Sequence, residues 1–230
     1  MDWYPLWNSL RIAAVSSVLV FFSGIGAAYY AARLPRLLKG FLDVFLTLPM
    51  VLPPTVVGYF LLLLVGNRRP LGIALENLGL QLVMDWKGGI LAAFAVSFPL
   101  MYRTARGAFE SFDETLAQAG KTLGLSNAFI FWRIRMPVCR QGILAGAVLA
   151  FARALGEYGA TSMLIGYTPG RTATISTTVY QMWRTGDDRQ AFLWVFVNLA
   201  ISAAVLLAVN GLEQKDRQKK KGAPVAECND

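Results

Sequence analysis

The chain has 230 residues, 55% of them hydrophobic and only 16% charged, whereas soluble domains carry about a quarter charged residues. With two cysteines and no histidine, it lacks the raw material for a disulfide framework, a Cys/His metal site or histidine-dependent acid–base catalysis. Its formal charge of +8 would suit nucleic acid in a soluble protein, but the basic residues fall between long apolar runs, where they encode membrane topology instead.

In chain order the apolar runs predict spans over 12–32, 41–65, 88–108, part of 142–165, and 191–212, each near the length that carries a helix across about 30 Å of hydrocarbon. The expected fold is therefore an all-α integral membrane protein with five transmembrane helices. The opening MDWYPLWNSL has no basic n-region and no small-residue cleavage site, so the first run reads as a retained span. Five spans place the termini on opposite sides. Fourteen basic residues, including Arg33, Arg36, Lys39, Arg103, Arg106, Lys121, Arg133, Arg135 and Arg140, fall on one side and seven on the other. The positive-inside rule then puts the N-terminus outside and the C-terminus in the cytoplasm.

The second run, GFLDVFLTLPMVLPPTVVGYF, contains Pro49, Pro53 and Pro54, each without an amide hydrogen and each clashing with the preceding turn. Broken backbone at membrane depth is tolerated where protein or a water-filled cavity surrounds it. Pro49, Pro53, Pro54 and the adjacent Thr55 are thus candidates for a translocation path or gate, the alternative being a packing bend. Two outer stretches, 71–79 and 175–183, show apolar residues at three- and four-residue spacing and read as interfacial helices, either presenting a surface or covering span ends.

Between the third and fourth runs lies ETLAQAGKTLGLSNAFIFWRIRMP, too polar for a span. Asp113 is placed to cap a helix over 114–123, with Gly124 as its left-handed terminator. Ser126 can cap a second helix over 127–135 that Pro137 stops. Leu116, Ala119, Gly120 and Leu123 form one stripe on the first helix, and Phe129, Ile130, Trp132, Ile134 and Met136 give the second a surface too apolar for water, which calls for a partner. The tetrapeptide Ala119-Gly120-Lys121-Thr122 imitates the end of a phosphate-binding loop, but position 115 is Thr where that motif needs Gly, and the context is helical. No nucleotide site is expected in this chain.

The fourth run holds Arg153 and Glu157, read from the sequence as the only ionisable pair at membrane depth. They are four residues apart and so on one helix face. Such charges mark either a functional site or a self-neutralising pair near the membrane boundary. Gly142 and Gly146 upstream form a small-xxx-small pattern that permits close helix approach. Residues 213–230 are polar with a Gly-Ala-Pro break and are expected to be a disordered tail whose lysines lean on anionic lipid; residues 1–212 form a single membrane domain.

The interruption after the third run resembles the EAA loop of the permease subunits of bacterial ABC importers, written Glu-Ala-Ala, three residues, Gly, nine residues, Ile-x-Leu-Pro. Gln118, Ala119 and Gly120, then Gly124, then Ile134, Met136 and Pro137 keep every spacing, with Gln118, Gly120 and Met136 departing from the family's letters. The segments LPMVLPPTVVG (48–58), LAFARALGEYGAT (149–161) and Pro169-Gly170-Arg171-Thr172 are similar to those of the oxyanion group of these permeases, closest to its molybdate branch, with tungstate and sulfate/thiosulfate permeases as the neighbouring alternatives.

The resemblance implies the type I importer permease fold, with the coupling loop at about 109–137 and two copies forming the path. Two cytoplasmic ATPase subunits would use ATP and Mg, an external oxyanion-binding protein would deliver the anion, and the chain itself would hold no cofactor in the inner membrane. A stand-alone secondary transporter coupled through Arg153 and Glu157 would be expected to show two matching halves, which five unequal runs lack.

Overall fold

The computed structural model describes residues 2–221, with side chains through residue 207. Eleven helices, and no strand, occur among the described residues: α1 (Tyr4–Ala31), α2 (Arg36–Val51), α3 (Pro54–Val65), α4 (Pro70–Asn77), α5 (Trp86–Glu110), α6 (Glu114–Thr122), α7 (Asn127–Ile130), α8 (Met136–Leu155), α9 (Gly159–Ile165), α10 (Ile175–Arg184) and α11 (Asp188–Lys221). A π-helical turn, Phe131–Arg135, joins α7 to α8.

The core is built where α1, α5 and α8 pack on one another. Small residues let them approach: a Cβ at Gly24 of α1 would lie 2.6 Å from Met101 Cγ, and one at Gly142 of α8 would lie 2.6 Å from Ala108 Cβ. Gly146 also faces α5, at Met101 and Thr104, so both glycines of the small-xxx-small pattern serve this contact. Tyr102, Met101, Ala105 and Phe109 of α5 are buried there.

Three helices among the described residues are long and apolar enough to cross a membrane, Tyr4–Ala31, Asn127–Leu155 and Asp188–Leu207, and α2 with α3 makes a fourth if that bent pair counts as one span. The expected third span, 88–108, falls within the 25-residue α5, which is not among them. The helix α5 carries Lys87, Arg103, Arg106 and Glu110, and much of its length is buried against the rest of the protein.

The second run departs furthest from a simple span. Pro49 sits inside α2, which continues past it, whereas Leu52 and Pro53 both take extended backbone and turn the chain by 112° into α3. Consecutive prolines force this, because the residue before a proline is driven out of the helical region and Pro53 cannot supply a helical amide. The two stretches expected as interfacial helices are helical, as α4 and α10. Thr174 caps α10 reciprocally with Thr177, and Ile175, Thr177 and Thr178 face inward.

At the other end α11 runs helical to Lys221, taking in the first part of the stretch expected to be disordered. No Gly or Pro interrupts 213–221, so nothing in the sequence ends the helix before Gly222. Residues 222–230 lie outside the described residues.

Candidate functional site

The segment after α5 folds as two capped pieces. Asp113 Oδ1 accepts the Thr115 N–H at 2.9 Å, and that backbone hydrogen bond holds its carboxyl below the usual aspartate range. Gly124 has φ 77°, and the Leu125 N–H reaches back to the Gly120 carbonyl at 3.0 Å, closing α6 as a left-handed glycine terminator does. Ser126 Oγ then accepts the Phe129 N–H at 3.2 Å.

The expected stripe on α6 divides in two. Gly120 and Ala117 turn inward, with the Gly120 α-carbon face against Ile130 and Ile134, where an added Cβ would meet their side chains at 3.2–3.3 Å. Leu116, Gln118, Ala119 and Leu123 point outward. Leu123 is 78% exposed and Trp132 62%, and with Leu116 and Phe129 they leave an apolar surface that nothing among the described residues covers. Ile134 and Met136 are half-buried against the core. The imitation phosphate loop lies wholly within α6, where Thr122 Oγ1 donates to the Gln118 carbonyl at 3.1 Å.

Pro137 does not stop the second helix. The chain continues from α7 through the π turn into α8, with Pro137 in the first turn of α8. In the wider turn the Met136 N–H bonds the Phe131 carbonyl five residues back, which makes room for the proline ring where an α-turn would clash. Arg135, the last residue of that turn, is only 3% exposed. Its Nη2 donates to both Glu114 carboxylate oxygens, at 2.7 and 2.8 Å, and its guanidinium lies 4.4 Å from the Phe112 ring centroid. Sequence reasoning counted Arg135 only as one more basic residue. Its partner is 21 positions upstream, beyond any helical spacing.

A second ion pair also escaped the sequence reading. Asp43 of α2 pairs with Arg106 of α5 and accepts from the Tyr102 hydroxyl, while Lys39 pairs with Glu110. Arg153 and Glu157 are therefore not the only ionisable pair within the predicted spans. Asp43 and Arg106 come from different helices, so no periodicity connects them.

Farther along, α8 ends at Leu155, and Glu157 caps the break that follows. Its Oε1 accepts the Ala160 N–H at 2.7 Å at the start of α9. Arg153 Nη1 lies 2.6 Å from Oε2, with the carboxylate buried and the Arg153 side chain 32% exposed. The proline corner is packed beside this break: a Cβ at Gly159 would lie 2.9 Å from Pro54 Cβ and 3.0 Å from the Thr55 nitrogen, and one at Gly58 would lie 2.7 Å from the Ala160 Cα. The structure thus brings Pro54 and Thr55 to the Arg153–Glu157 break, leaves Thr55 and Pro53 exposed, and keeps Pro49 apart on α2.

Beside this break an open groove of about 420 Å³ is lined by Tyr158, Tyr180, Trp183 and Asn198 among others. The Pro169–Thr172 turn is tied to α1, where Tyr4 donates to the Arg171 carbonyl, Asn8 Nδ2 donates to the Ala173 carbonyl at 3.0 Å, and Ser9 Oγ accepts the Ile175 N–H at 2.9 Å. The exposed apolar surface and the double helix break are connected by α8, whose 20 residues span about 30 Å.

Residues 24–214 match the family described as "Binding-protein-dependent transport system inner membrane component". The chain is 39% identical over 221 residues to the molybdenum transport system permease protein ModB of Escherichia coli K12, covering 94% of this chain and 96% of that protein. It is 36% identical over 217 residues to ModB of Haemophilus influenzae, covering 93% and 94%.

Among solved structures, the MetNI methionine ABC transporter in an inward-facing conformation superposes with a TM-score of 0.71 at 12% identity, covering 92% of this chain and 94% of that one. A bacterial alginate ABC transporter, solved in complex with an alginate pentasaccharide-bound periplasmic protein, gives 0.73 at 16% identity, covering 92% and 78%.

Proposed function

The chain belongs to the family of binding-protein-dependent transport system inner membrane components, and we propose that it is the membrane subunit of an ATP-driven importer carrying molybdate. The observation that carries this reading is the single helix α8, which starts at an exposed apolar coupling surface and ends at a broken, charged junction at membrane depth. A transporter driven from one side needs such a rigid connection between the part that is pushed and the part that opens.

In this reading two copies of the chain form the path. Two cytoplasmic ATPase subunits hold α6 and α7, using their own ATP and Mg, and an external oxyanion-binding protein docks opposite them. The chain supplies no ATPase site and no cofactor. Its N-terminus is outside and its C-terminus cytoplasmic. Gln118, Ala119, Gly120, Gly124, Ile134, Met136 and Pro137 form the coupling segment. Of these, Ala119 and Gln118 touch the partner directly, while Gly120 and Ile134 hold the two helices together beneath it. Pro53, Pro54 and Thr55 with Arg153 and Glu157 form the gate region, and Pro49 belongs to the arm that leads to it. The anion is moved and not chemically changed, by alternation between inward- and outward-facing arrangements.

Identity to molybdenum permeases over more than nine-tenths of the chain favours molybdate over sulfate. The test is ATP hydrolysis by the purified complex with its binding protein. Stimulation by molybdate or tungstate well above that by sulfate is expected, and a sulfate preference would move the chain to the sulfate/thiosulfate branch.

A further inference from the structure

We propose that Arg135 is a positioning residue that fastens the coupling helix α6 to the cytoplasmic end of α1, so that a displacement imposed on α6 is carried into the membrane helices. This rests on the reading of α6 as the ATPase contact.

The attachment of α6 to the rest of the chain is otherwise slight. It buries only Ala117 and Gly120, two residues with almost no side chain to resist sliding. The Glu114–Arg135 pair is the directional link. On the α6 side the carboxylate is 60% exposed, while the Arg135 side chain is 4% exposed, so the cation is held from within the protein and reaches outward to α6.

The inner side of the link is aromatic. The Arg135 guanidinium faces the Phe112 ring at 4.4 Å and the Tyr29 ring of α1 at 5.8 Å. Tyr29 itself is fixed by the edges of Phe131 at 4.6 Å and Phe109 at 5.8 Å and carries Arg33 at 3.9 Å. A cation enclosed by ring faces and a carboxylate, away from water, is restrained in direction as well as distance. The π turn supplies the geometry, because its extra residue per turn brings Arg135 inward between Ile134 and Met136, and such turns concentrate at functional positions. Without the link α6 could rock on Gly120 while α1 stayed still.

The experiment uses the full complex in vesicles with molybdate-loaded binding protein, measuring uptake and ATP hydrolysis on the same sample. The double variant Glu114→Gln with Arg135→Met replaces both members by neutral groups, so the buried position at 135 is not left with an unpaired charge. It is expected to retain the ATPase subunits and its thermal midpoint while molybdate carried per ATP falls about tenfold. An unchanged ratio overturns the proposal.

Arg135→Lys keeps the charge but loses the planar stacking and is expected to give an intermediate ratio; a ratio equal to that of the unmodified chain counts against the aromatic part of the link and overturns it as stated. Should the double variant fail to fold, Glu114→Asp, which keeps the charge but shortens its reach to Arg135, gives the same measurement with the same two outcomes. An unmodified chain that retains no ATPase defeats the reading of α6 itself, and is told apart by co-purification before any transport is measured.

Discussion

The corner at Gly124 and the corner at Pro53 both interrupt helices, but they are made by different physics. At Gly124 every element is local. Asp113 and Ser126 cap within three residues and the glycine takes φ 77°, so the turn would form wherever the segment was placed. At Pro53 the prolines break the helix, but the direction of the 112° turn is stabilised by a distant element, α9, which lies against it through Gly58 and Gly159. The first corner presents a preformed, exposed apolar surface. The second depends on packing for its shape, and a junction held by packing can exchange one packing for another.

Filling the contact at the second corner should have the largest effect. Gly58→Leu places its side chain where Ala160 backbone atoms lie within 3 Å, so α3 and α9 must separate. A loss of about 3 kcal/mol is expected from overpacking, seen as a lowered thermal midpoint in detergent, and an unchanged midpoint would mean that the two helices are not fastened there.

At the first corner Ala119→Glu leaves the fold intact, because residue 119 points outward, but puts a charge into the proposed ATPase contact. Binding of the ATPase should weaken by about 2 kcal/mol, some thirtyfold, measured by co-purification or calorimetry. Normal assembly would remove α6 from the interface.

Glu157→Gln sharpens the comparison from the other side. It keeps an acceptor for the Ala160 N–H but leaves Arg153 without its carboxylate. Because Arg153 is partly exposed, water replaces some of that attraction, and a cost of about 1 kcal/mol is expected. Adding Arg153→Leu should recover most of it in a thermal-unfolding cycle; a cycle showing no coupling would make the pair incidental.

The smallest effect is one of pH. The Asp113 carboxyl has its affinity for protons lowered by the Thr115 N–H. The cap's contribution is therefore fully present above the ordinary aspartate range and is lost as pH falls through the lowered value. Protection of the Thr115 amide, relative to its intrinsic exchange rate, should fall only on strong acidification, and Asp113→Asn should abolish that dependence.

What could be read beforehand follows the same division. The caps at Asp113 and Ser126, the terminator Gly124 and the amphipathic α4 and α10 were legible because side chains act there on backbone two or three residues away. Pro137 misled the reading, since a proline stops an α-turn but not the wider π turn that precedes it here. Arg135 and Asp43 were missed because nothing near them in the chain announces Glu114 or Arg106.

The sequence by itself determined a helical membrane chain, its two corners and the register of the two capped helices after α5, because hydrophobic run length, proline stereochemistry and capping are local properties. Only the tertiary structure decided that Pro54 meets Gly159, that Arg135 is closed between Glu114 and Phe112, and that α8 links the two corners. Those pairings depend on which small residues let helices approach and which charges then lose their water, and both conditions arise only once the helices are packed.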